Sequence, residues 1–156
     1  MKKIKIIALT IVFVITFVAS CSSPTNSSEP SAVNLPTPNP DKSLIYGVLI
    51  NESSQKPVLG DPFLAYALIP ENPDLPVTVS FSMQSNPGAE YDIESGRFYF
   101  DDIEPGDNYV IILVYGPGNF VVVEEPSSQA PLIISVSAGE SLDMGTIYVT
   151  EQIPND

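Results

Sequence analysis

Between residues 43 and 156 the apolar positions come in short runs rich in β-branched and aromatic residues, and no stretch keeps a helical period. This pattern predicts strands at 44–50, 63–69, 77–83, 91–93, 97–100, 109–115, 120–124, 132–136 and 146–150. The breaks include Pro70-Glu71-Asn72-Pro73, Ser85-Asn86-Pro87-Gly88, Glu94-Ser95-Gly96, Glu104-Pro105-Gly106, Gly116-Pro117-Gly118-Asn119 and Ala138-Gly139-Glu140. Each offers a residue that presets φ or tolerates a positive one. Alternate residues of a strand share a face, so Phe98 and Phe100, then Tyr109, Ile111 and Leu113, are expected to line one buried side. Two strands carry a second apolar row on the opposite side: Val110, Ile112 and Val114 in one, Tyr46, Val48 and Ile50 in the other. Either such a row is covered by loops or by a central position in a sheet, or it is an exposed patch that docks a partner. The fold class expected is all-β, a single immunoglobulin-like β-sandwich of about seven to nine strands, and no internal repeat is seen.

The first 42 residues follow other rules. Met1-Lys2-Lys3-Ile4-Lys5 is a basic head, and residues 6–19 are apolar except for Thr10 and Thr16. As a helix that run would span about 21 Å, short of a hydrocarbon core of about 30 Å. A basic head, a short apolar middle and small closing residues describe an export signal over residues 1–20. Its end, Val18-Ala19-Ser20-Cys21, resembles the bacterial lipobox. The resemblance implies that Cys21 takes a diacylglyceryl thioether, becomes the new N-terminus and is acylated again, with palmitate a typical chain. Several acyl chains anchor far more durably than one. The expected location is therefore the bacterial cell envelope, lipid-anchored to a membrane with the domain outside the cytoplasm. Residues 22–42 hold five prolines and many small polar residues, too little apolar surface to offset the entropy of ordering. The expected organisation is a signal at 1–20, a disordered tether at 21–42 and one domain at 43–156. Asn26-Ser27-Ser28 and Asn51-Glu52-Ser53 match the glycosylation sequon, which a bacterial address leaves idle.

Charge narrows the partners. The chain has 6 basic and 19 acidic residues, and Lys2, Lys3 and Lys5 leave with the signal. Lys42, Lys56 and Arg97 then stand against all 19 acidic residues, a net charge near −16. That excludes nucleic acid, whose affinity comes mostly from cations on phosphates. There is no His and no Trp, and Cys21 is the sole Cys. His-based triads, His metal sites, Cys-rich zinc sites and intrachain disulfides are therefore excluded.

The motifs along the domain carry a family resemblance. Ile45-x-Gly47-x-Leu49-x-Asn51 is followed by Lys56-Pro57-Val58-x-Gly60, then Gly96-x-Phe98-x-Phe100-x-x-Ile103-x-Pro105-Gly106. Tyr109-x-Ile111-x-Leu113, Val136-x-Ala138-Gly139-Glu140 and Leu142-x-x-Gly145-x-Ile147 complete the series. Their order over residues 44–150 resembles the carboxypeptidase regulatory-like domain, a transthyretin-like sandwich common on bacterial surfaces. Two features depart from it. Asp107 and Asn108 put two residues, where one is usual, between Pro105-Gly106 and Tyr109, and the segment 70–90 is long and rich in Pro.

The resemblance also indicates which chemistry to look for. Transthyretin-type hydrolases rely on His and Arg, and intradiol dioxygenases hold iron with two His and two Tyr; without His neither site maps onto this chain. Lys–Asn isopeptide chemistry of adhesin domains needs a Lys inside a strand, whereas Lys42 lies in the tether and Lys56 in a loop. Asp101 and Asp102, as neighbours in a strand, would point apart and make a poor glycosidase pair. No enzyme is expected. The candidate metal site is Asp101, Asp102, Glu104 and Asp107, joined by Asp92 and Glu94, because oxygen-rich loops suit calcium; the alternative is a solvated acidic rim. For a glycan, Tyr66, Tyr91 and Tyr115 are the candidate aromatics. The function expected is a non-catalytic binding, adhesive or scaffolding module with an envelope protein or polysaccharide as partner. The alternative is capture of a small glycan or calcium ligand at the cell surface.

Overall fold

The computed structural model describes residues 35–126 and 128–150; the export signal, Cys21 and most of the expected tether lie outside the described residues. Nine strands follow in chain order: β1 (Ser43–Asn51), β2 (Asp61–Leu68), β3 (Thr78–Ser80), β4 (Glu90–Asp92), β5 (Arg97–Ile103), β6 (Gly106–Gly116), β7 (Asn119–Val122), β8 (Ile134–Val136) and β9 (Ser141–Val149). They form two sheets and, among the described residues, no helix. One sheet runs β4-β5-β1-β9, with the first and last strands of the domain paired in parallel. The other runs β3-β2-β6-β7, with β8 pairing the first part of β6. The all-β sandwich class is therefore the observed one.

The core between the sheets is the row that alternation predicts. Ile45 and Leu49 of β1, Phe98 and Phe100 of β5, and Tyr109, Ile111 and Leu113 of β6 are all buried in one cluster. Phe98 and Phe100 meet edge to face, with ring centroids 5.7 Å apart. Each fully buried side chain of this kind contributes about 2–3 kcal/mol of transfer free energy. The few polar groups inside are paired. Ser43 Oγ donates to the Ser137 carbonyl over 2.7 Å, and Asn51 Oδ1 accepts from the Ser54 amide over 2.7 Å.

The strands run longer than alternation suggests, because β-bulges hide their continuation. From Ser43 to Ile45, β1 advances two residues while its partner β5 advances three, from Phe100 to Ile103. The surplus sits at Asp101-Asp102, with Asp102 at φ 52°. Similarly β6 takes three steps from Gly106 to Tyr109 against two in β8, with Asn108 at φ 65°. That bulge absorbs the extra residue noted between Pro105-Gly106 and Tyr109. In β9, three steps from Asp143 to Thr146 face two in β1, with Gly145 at φ 61°. Asp, Asn and Gly are the types that enter left-handed backbone at least cost, so each bulge has a residue suited to it. Pro105-Gly106 is thus not a plain turn: β5 ends at Ile103 and β6 already begins at Gly106.

The predicted strand at 77–83 is reduced to β3. Residues 87–89 rejoin the same edge of β2, with Leu64 N–H donating to the Pro87 carbonyl and Ala89 N–H to the Pro62 carbonyl, each over 2.9 Å. The intervening 81–86 loops out, held by Asn86 Nδ2 donating to the Leu64 carbonyl and the Ser82 amide donating to Asn86 Oδ1, each over 2.8 Å.

Candidate functional site

The two second rows have different fates. Val110, Ile112 and Val114 are buried with Ala65 and Ala67 in a second apolar cluster on the outer face of the β2–β6 sheet. Ala65 and Val110 are cross-strand partners, as are Phe63 and Ile112. Val79 of β3 extends this face, and Phe81 from the looped-out segment lies over it. Phe81 meets the Phe63 ring edge to face at 5.6 Å and reaches toward Phe120 at 6.1 Å. This row is covered core.

The row Tyr46, Val48 and Ile50 is only half-buried. Tyr46 stands opposite Tyr99 of β5 and Asp143 of β9; Val48 stands opposite Arg97 and Thr146. Because Phe98 and Phe100 face inward, Tyr99 must face out, beside Tyr46. Tyr46, Val48, Tyr99 and Arg97, together with Leu35, Asp143 and Thr146 but without Ile50, bound an open groove of about 340 Å³ on the outer face of the β4-β5-β1-β9 sheet. The β9 bulge shapes one wall. Asp143 Oδ1 accepts from the Gly145 amide over 2.8 Å, and a Cβ on Gly47 would come within 2.8 Å of the Gly145 carbonyl oxygen. The groove offers two phenol rings to an apolar or CH-rich surface. Arg97, Thr146 and the tyrosine hydroxyls supply polar anchors. Such a mixture suits reversible binding.

The acidic residues do not assemble. Asp92 ends β4 and Glu94 follows in the β4–β5 turn, while Asp101, Asp102, Glu104 and Asp107 lie at the other end of β5 and on into β6. Asp92 serves its own turn: the Ser95 hydroxyl donates to it and holds its carboxyl below the usual range. Asp102 Oδ1 accepts from Asn39 Nδ2 over 2.6 Å, and Glu104 pairs with Lys42, whose pKa this hydrogen bond raises. Both partners come from the stretch just before β1, so two of the four candidate calcium ligands fasten the chain where it enters the sandwich. Among the described residues no three carboxylates come close enough to hold a metal ion. The calcium reading therefore gains no support from geometry.

Tyr66, Tyr91 and Tyr115 are not one platform. Tyr66 stacks on Tyr109, centroids 4.7 Å apart, and donates to its hydroxyl over 3.1 Å. Tyr91 donates to the Val58 carbonyl over 2.7 Å, and Tyr115 packs over Gly60. One aromatic pair on an outer face, Tyr46 and Tyr99, was legible only as one residue of a second row and one residue between two inward phenylalanines. Their adjacency depends on the β1–β5 register, which no local pattern reports.

No helix among the described residues is long and apolar enough to cross a membrane. Comparison with family models, with curated proteins and with solved structures found no match for this chain.

Proposed function

We propose that this chain is a bacterial envelope lipoprotein, anchored through Cys21, whose carboxypeptidase regulatory-like β-sandwich is a non-catalytic binding, adhesive or scaffolding module. The observation that carries the reading is the contrast between the two outer faces. Val110 and Ile112 in the face of the β3-β2-β6-β7 sheet are buried under a cover that includes Val79 and Phe81, whereas the opposite sheet leaves Tyr46 and Tyr99 half-buried, side by side in an open groove. An apolar row retained at the surface costs solubility unless a partner uses it. The contact face of the module is therefore the groove, and the partner an envelope protein.

A second reading, capture of a glycan, is favoured by the same pair. Tyrosine rings present flat faces to the CH side of a pyranose, and Arg97 and Thr146 border them with hydrogen-bonding groups.

Labelled palmitate fed to cells expressing the full chain tests the anchor. Label is expected in the wild type and absent from Cys21→Ser; label persisting in that variant would refute it. Tyr46→Ala with Tyr99→Ala tests the contact face. Loss of a cross-linked envelope protein supports the first reading, and loss of polysaccharide retention supports the second. Retention of both partners by the folded double variant would remove the groove from the function.

A further inference from the structure

A second open region lies on the flank of the sandwich. It is a cleft of about 510 Å³ between β7 and β9, the edge strands of the two sheets on that side. Its walls include Phe120, Val121 and Val122 of β7, and Tyr148 and Val149 at the end of β9 with Thr150 just after it. Consecutive side chains of a strand point to opposite faces, so a wall made of consecutive residues is the strand's edge. Neither β7 nor β9 has a strand partner on that edge among the described residues. The β9 bulge at Gly145 interrupts regular pairing farther back, which leaves residues 146–149 as the straight part of the edge.

The chemistry of the cleft selects what can lie there. Glu52, Glu124 and Glu125 contribute to its lining, and no Lys or Arg does. Phe120 and Tyr148 flank it with more than two-fifths of each side chain exposed. Backbone edge, carboxylates and exposed aromatic rings together match one kind of occupant. An extended peptide pairs its main chain with the edge, and its Lys or Arg side chains reach the carboxylates and ring faces. A second copy of this acidic chain does not fit.

We propose that the β7–β9 cleft binds an extended, basic segment of a partner protein by strand addition to the edge of β9. The inference rests on the reading of the domain as a protein-binding module and gives that module a second contact site, apart from the Tyr46–Tyr99 groove.

The test uses the full chain in detergent micelles and two capped peptides, one alternating Lys and Val, the other alternating Glu and Val. The basic peptide is expected to bind and to slow amide hydrogen exchange within residues 146–149, while the acidic one does not bind. Glu124→Lys with Glu125→Lys should weaken binding about tenfold, because interfacial charge reversal adds repulsion to lost attraction. Glu71→Lys with Asp74→Lys, in the β2–β3 loop, should change it by less than about twofold, as expected for charges outside the contact. N-methylation of alternate peptide amides should abolish it. Equal binding of both peptides, indifference to the 124/125 reversal, or binding without slowed exchange in β9 would overturn the proposal. If these fail while Cys21 is acylated and groove variants still lose their partner, only the cleft is refuted.

Discussion

The Tyr109 hydroxyl donates to the main-chain carbonyl of Glu104, 2.8 Å away, and receives a hydrogen bond from Tyr66. A residue near the start of β6 thereby closes the bulged corner between β5 and β6, as tyrosine corners do in sandwich domains. Burial, and then the Tyr66 hydrogen bond, push the Tyr109 pKa upward. Tyr109→Phe is expected to cost about 1–2 kcal/mol by leaving the Glu104 carbonyl without this donor. In the unfolded chain the hydroxyl ionises near pH 10. The folded state holds the proton beyond that point, so its contribution is complete below about pH 10 and is lost as pH rises toward the folded value. Urea unfolding of both proteins from pH 7 to 11 should show their stability gap narrowing above pH 10. A constant gap would contradict this account.

The two outer faces should respond differently to substitution. Ile112 is fully buried in the second cluster, so Ile112→Asp places an unpaired carboxylate among apolar groups and is expected to prevent folding. Tyr46→Ser, on the open face, should leave a cooperative transition within about 1–2 kcal/mol of wild type. Circular dichroism melts separate the cases. A well-folded Ile112→Asp protein would mean that Phe81 and Val79 do not cover that row.

Two glycines at similar φ should carry unequal weight. Gly96 (φ 75°) ends the β4–β5 turn, and a Cβ there would sit 2.6 Å from the Leu49 carbonyl oxygen. Gly118, also at φ 75°, has nothing within 4 Å. Gly118→Ala should cost about 1–2 kcal/mol, the backbone term alone. Gly96→Ala should cost clearly more, since backbone must move as well. Equal urea midpoints for the two variants would show that the turn relaxes freely.

Calcium should not stabilise the domain. Asn39 and Lys42 already engage Asp102 and Glu104, and among the described residues no third carboxylate closes a metal site with them. A ligand at a hundred times its Kd would add about 2.7 kcal/mol and raise the melting temperature visibly. Calorimetry with EDTA and then with millimolar calcium is expected to give superimposable transitions. A rise of several degrees would show that Asp101 to Asp107 can rearrange around the ion.

Much of this architecture could be read along the chain because its signals are local. Phe98 and Phe100, or Tyr109, Ile111 and Leu113, announce a buried face by alternation alone, and Gly96 announces its turn by the φ that only glycine takes cheaply. Strand ends were less legible for one physical reason. A bulge adds a residue and shifts the phase of alternation, so 101–103 and 141–145 read as breaks although β5 and β9 run through them. The acidic residues from Asp101 to Asp107 looked like one site because they are close in sequence. In the fold Asp102 and Glu104 are taken up by Asn39 and Lys42, more than sixty positions earlier.

The sequence by itself determined that this is a two-sheet β structure, which residues fill its centre, and where its backbone needs glycine. Those properties follow from side-chain period and backbone sterics, which act over a few residues. The tertiary structure alone decided that Val110, Ile112 and Val114 are covered while Tyr46 and Tyr99 are left open. That outcome depends on where Phe81 lands and on the register of β1 against β5. Contacts across such separations are set by the packing of whole sheets, and no neighbouring residue encodes them.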